Sequence, residues 1–138
     1  MCLFLTITPS DPDFNRSVVK RVLKGASVLS AFSGELDGRS VFYLANSPNC
    51  ACDLQAAESG AEVFGTHLSL SALDSVERMA RAMVAAGCVP FEFRVFWAGE
   101  HPAEVVDLDL GGFLDVVQAN TFQGLSAYRV GERRAHAV

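Results

Sequence analysis

Between Val76 and Trp97 the hydrophobic residues change from the period of a helix to the period of a strand, and no other feature constrains the fold as much. Val76, Met79, Ala80, Met83 and Val84 recur at i, i+3, i+4, i+7 and i+8, and Gly87 follows as a stop. Asp74-Ser75-Val76-Glu77 has the form of a capping box, so a helix is expected over 74–86. The stretch FEFRVFW then alternates strictly, with Phe91, Phe93, Val95 and Trp97 on one face and Glu92, Arg94 and Phe96 on the other. A helix with one apolar stripe beside a strand with an apolar face requires a helix layer packed on a sheet.

The rest of the chain supplies partners for that pair. CLFLTIT is apolar almost throughout, as expected of a strand covered on both sides. SDPDFNRSVVKRVLKG reads as a helix over 11–24, with Ser10 or Asp11 as cap, Pro12 in the first turn and Gly25 as its end. Two β-rich runs flank Asp37-Gly38, a dipeptide suited to the positive φ angles of a tight hairpin turn. Residues 46–70 mix loop signals with a short helical turn, a long connection of the kind that is often functional. Beyond the AGEHPA turn, EVVDLDL reads as an edge strand from which Asp107 and Asp109 both face solvent. GGFLDVVQAN reads as a short helix with Val116 and Val117 inward, and LSAYRV as a last strand.

The expected order is therefore the β-α-β-β-α-β pattern of a ferredoxin-like sheet, mainly antiparallel, with an appended strand and short helix. In that arrangement the first strand is interior and the helices at 11–24 and 74–86 cover one face. Residues 1–130 are expected to form a single α+β domain and 131–138 a mobile tail. The pattern carries no activity of its own.

Composition narrows the function classes. With 138 residues, half of them hydrophobic, the chain can bury a real core. A net charge of -5 argues against nucleic acid, and Arg16, Lys20, Arg21 and Lys24 on the first helix read as a solvated face. No apolar run approaches the roughly 20 residues of a membrane span. MCLFLTITPSD lacks a basic n-region and meets Pro9 and Pro12 early, so the expected address is the cytoplasm, where Cys2, Cys50, Cys52 and Cys88 stay reduced.

The candidate chemistry lies in NSPNCACDL. The expected topology brings Cys2, Cys50, Cys52, Asp53 and His101 to one end of the sheet, with His67 in reach and Cys88 at the opposite end. Cys50, Cys52, His67 and His101 offer the two thiolates and two imidazoles of a zinc site, although C-x-C is not the usual spacing of a zinc loop. A reactive thiol is the second reading: Cys52 as nucleophile or redox group near a helix start capped by Asp53, with Cys50 as its partner. The third reading makes both cysteines packing residues. Gly-rich phosphate loops, dinucleotide fingerprints, HExxH and GxSxG are all missing from the sequence. The expectation is a protein-binding or self-assembling module, a homodimer in its simplest form and without a cofactor, with a thiol- or metal-dependent enzyme or sensor as the alternative.

Overall fold

The computed structural model describes residues 2–11, 16–26, 29–36, 38–45, 51, 54 and 67–131. Among them, a six-stranded sheet is built from β1 (Leu3–Pro9), β2 (Ser30–Leu36), β3 (Arg39–Ala45), β4 (Phe91–Trp97), β5 (Glu104–Leu108) and β6 (Ser126–Val130). The helices are α1 (Arg16–Ala26), α2 (Leu70–Ala85) and α3 (Leu110–Ala119).

Strand order is β2-β3-β1-β4-β6-β5, and β1 is interior as expected. Every neighbouring pair is antiparallel except β5 and β6, which run parallel. The expected sheet with a single strand appended is corrected here. β6 inserts between β4 and β5, and α3 bridges the parallel pair, so the fold is α+β with a six-stranded mixed sheet. Strand pairing is a non-local choice that the order of elements along the chain leaves open.

The alternation of each strand sends one set of side chains to the helices. Leu3, Leu5 and Ile7 of β1 join Phe42 and Leu44 of β3, Phe91, Phe93 and Val95 of β4, and Tyr128 and Val130 of β6 in one core. Val19 and Leu23 of α1, Val76, Met79 and Met83 of α2, and Phe113 and Val117 of α3 belong to the same core, so all three helices cover that face. Phe113 meets Phe91 and Phe93 edge-on, with ring centroids 6.3 and 5.4 Å apart.

Helix ends depart from expectation where side chains outvote local pattern. α2 begins a turn earlier than the capping box suggests, because the Ser69 hydroxyl accepts from the Ala72 N–H. Its carboxyl end closes as a Schellman motif: Cys88 N–H donates to the Met83 carbonyl, Gly87 N–H to that of Val84, and Gly87 takes φ +74°. Gly25 does not stop α1, which continues to Ala26. Asp109 is exposed as expected, but it lies past the end of β5 and not on the strand. It caps α3, accepting from the Gly112 N–H at 2.7 Å.

Candidate functional site

The residues expected to share a site are only partly within view. Ala51 N–H donates to the Leu3 carbonyl, Leu54 N–H to that of Ala51, and Ser69 N–H to that of Leu54. This chain of bonds ties Ala51, Leu54 and the start of α2 to the amino end of β1. Ala98 N–H donates to the Cys2 carbonyl, which brings the Glu100-His101 turn to the same end. Cys50, Cys52 and Asp53 themselves lie outside the described residues.

His67 is half-buried beside Leu68, whose N–H and carbonyl are both held by the Asn120 side chain at 2.8 and 3.0 Å. His101 and Cys2 are exposed. Among the described residues, no three His, Cys, Asp or Glu side chains converge as a metal would require. Cys88 precedes β4 and lies at the far end of the sheet, about 20 Å away by the length of a seven-residue strand. It is buried, and burial pushes its thiol pKa up, which disfavours the thiolate.

A different site emerges on the sheet face away from the helices. Register places Thr6 and Thr8 of β1, Val41 and Tyr43 of β3, and Arg94 of β4 on it. On a flat sheet these residues would be open, yet Thr6, Thr8 and Arg94 are 2%, 6% and 5% exposed. Leu36 of edge strand β2 and Val105 of the opposite edge, β5, line one cavity of about 130 Å³. Five strand spacings across a flat sheet amount to about 24 Å, which such a cavity does not bridge. The sheet is therefore curled toward a half-barrel, with this face concave.

Long side chains laid flat complete the cup. The Arg94 guanidinium lies 4.1 Å from the Phe96 ring centroid, and its Nη2 donates to the carbonyls of Glu100 and Gly124 at 3.5 and 3.4 Å. The Glu100 carboxylate in turn accepts from the Trp97 N–H at 2.6 Å, so the turn that holds Arg94 is itself held. Tyr43 lies over Gly34, where a Cβ would stand 2.6 Å from the ring, and its hydroxyl donates to the Glu35 carbonyl. Arg39 pairs with Glu92 at 2.8 Å across β3, β1 and β4. Arg129 pairs with Asp107 through two hydrogen bonds, and that carboxylate raises its pKa.

Thr8 and Arg39 also line a second cavity, of about 310 Å³, formed by the exit of β1, the start of α1 and the β2–β3 turn. It opens beside the cup as a mouth. Arg16 lies there with its guanidinium 4.4 Å from the Phe42 ring centroid, donating to the Val41 carbonyl at 3.4 Å. In the helix pattern Arg16 belongs to a solvated face, and Thr6, Thr8, Arg39 and Arg94 stand in no motif of the sequence. The usable signal was their alternation with the apolar residues of the strands, which becomes meaningful only when register is known.

Comparison with protein-family models, with curated proteins and with solved structures finds no match.

Proposed function

We propose that the protein is a small binding module whose working site is the polar cup on the concave face of the sheet. The fold is read with it as a ferredoxin-like unit enlarged at one edge. Support comes from the succession β2-β3-β1-β4 with antiparallel neighbours, to which β6 and β5 add the width a curl needs. One observation carries the functional reading: side chains from opposite edge strands, Leu36 and Val105, meet at a single cavity above Thr6, Thr8 and Arg94. A sheltered concavity with apolar rims and a few convergent polar groups is the usual form of a small-molecule site. The test is an amide chemical-shift screen with small polar compounds. Saturable shifts at Thr6, Thr8 and Arg94, abolished by Thr8→Leu, are expected; binders that perturb only other surfaces reject the cup.

A second reading is self-association, most simply a homodimer. Phe96 gives it no support, being 3% exposed beneath Arg94. Its support is the apolar corner of Val105 and Leu125, 47% and 52% exposed. Sedimentation at about 50 μM, well above the dissociation constants of stable interfaces, checks it. A dimer dissociated by Val105→Glu with Leu125→Glu is expected, and a monomer at that concentration rejects it.

The thiol alternative, with zinc as its metal-bound form at Cys50, Cys52, His67 and His101, is supported by the hydrogen bond from Ala51 to Leu3, which holds Ala51 at the amino end of β1 next to Cys2 in the chain. Alkylation at neutral pH should then be fastest at Cys52 and slowest at Cys88. Equal slow labelling of Cys50 and Cys52 without bound metal returns them to packing residues. No helix among the described residues is long and apolar enough to cross a membrane. The cytoplasm is the proposed address, supported by the free thiols of Cys2 and Cys88.

A further inference from the structure

The mouth of the cup differs in charge from the molecule around it. The chain carries a net charge of -5, whereas among the described residues that line the two cavities Arg16, Arg39 and Arg94 stand against Asp11 and Glu92, three cations to two carboxylates. Arg16 meets no carboxylate among the described residues. Its partners are a carbonyl and the face of Phe42, which fix the guanidinium without neutralising it. Arg39 is half exposed, and one Nη of its five-donor fork is occupied by Glu92. Beside them the Ser10 hydroxyl oxygen is buried and meets no hydrogen-bond partner among the described residues, which leaves it available to a ligand.

We propose that the mouth binds the head of a small organic anion, a carboxylate or a phosphate ester, with its body directed into the cup. Arg16 anchors the head, Arg39 shares its remaining donors, and Ser10 completes the set. Planar guanidinium forks match both oxyanion classes, and a cavity of about 310 Å³ is at the size where small ligands are held. Glu92 competes with the ligand for Arg39, and the Asp11 carboxylate on the cavity wall opposes it. The inference rests on the cup being a binding site, and the probes below separate the two.

The test titrates the full chain with glycerol 3-phosphate, citrate and uncharged glycerol, reading heat and amide shifts. Saturable binding of glycerol 3-phosphate or of citrate at Thr8, Arg16 and Arg39 is expected, and the better of the two identifies the head as phosphate or carboxylate. Arg16→Gln should weaken it about tenfold or more, as expected for the loss of one charge-assisted hydrogen bond, with Arg16→Lys between. Glu92→Gln should tighten it, a result independent of whether an Arg16 variant folds well. Arg81→Gln, on the exposed face of α2, should leave it unchanged. Equal weakening by Arg16→Gln and Arg81→Gln, or no anion bound while a neutral compound fills the cup, overturns the anion inference and leaves the cup standing. Failure of every probe and every screened compound to perturb the concave face overturns both.

Discussion

The two faces of the sheet are buried by different means. On β1 alone, Leu3, Leu5 and Ile7 point to the helices while Phe4, Thr6 and Thr8 point to the concavity. The first set is sealed by a second layer of helices with apolar partners on every side. The second is sheltered by curvature and by side chains of its own strands: Arg94 over Phe96, Tyr43 over Gly34, Arg39 reaching Glu92. A layer that excludes water can tolerate few polar groups, whereas a curled face under flat-lying guanidinium groups keeps hydroxyls usable. Substitutions on the helix side should therefore cost the most stability, and those on the concave side less stability while also changing binding.

The largest expected effect tests the sealed face. Phe93→Ala removes a ring that is 1% exposed and lies 5.4 and 5.8 Å from Phe113 and Phe122. A loss of about 3–5 kcal/mol in denaturant unfolding is expected. A loss below about 1 kcal/mol would mean that the helix layer is looser than its burial implies. Next comes Gly34→Ala on the other face. Its Cβ would displace Tyr43, breaking the bond to Glu35 and the edge contact with Phe4 at 5.6 Å. About 1–3 kcal/mol is expected, and most of it should vanish in a Tyr43→Ala background, where nothing remains to displace.

These two faces were unequally legible in the sequence. FEFRVFW, the Val76 stripe and the Asp37-Gly38 turn identified strands, helix and hairpin because each signal is local, and β4 coincides with the alternating run. The start of α2 was missed because Leu70 is 84% exposed, so the apolar stripe does not extend to the true cap at Ser69. Asp109 was misread because the alternation of EVVDLDL runs past the end of the strand into a cap. The curl has no local signature: it depends on which strands pair. Thr6 gains its meaning from standing opposite Arg94 and Tyr43. Arg16 looks solvated beside Lys20 and Arg21 in the helix pattern, and only tertiary packing turns it onto Phe42.

Cys88 offers a smaller test of the sealed face. Burial raises its pKa in the folded protein above that of the unfolded thiol, near 8.5. Below that value both states hold the proton and the group contributes no pH dependence. Above it the unfolded chain releases the proton first, so stability falls as pH rises toward the folded value, by at most about 1.4 kcal/mol per pH unit. Urea unfolding of the protein and of Cys88→Ala at pH 7.5 to 10 should show a steeper alkaline decline in the former. Parallel declines would mean that the thiol is accessible to water.

The smallest expected effect belongs to the concave face and decides whether its ion pairs are structural. Arg39 and Glu92 are 50% and 17% exposed in their side chains, so water screens their attraction and ordering two long side chains offsets part of it. A double-mutant cycle with Arg39→Gln and Glu92→Gln should give a coupling of about 0.2–1 kcal/mol, weakening in about 1 M salt, where the screening length is about 3 Å. Arg129 and Asp107, 41% and 50% exposed, should behave alike despite their two bonds. A pair worth this little in folding can exchange Glu92 for another anion at small cost, as the mouth requires. A coupling of several kcal/mol for Arg39–Glu92 would instead make the pair a fixed part of the fold, and the contrast between a face that stabilises and a face that binds would fail at that point.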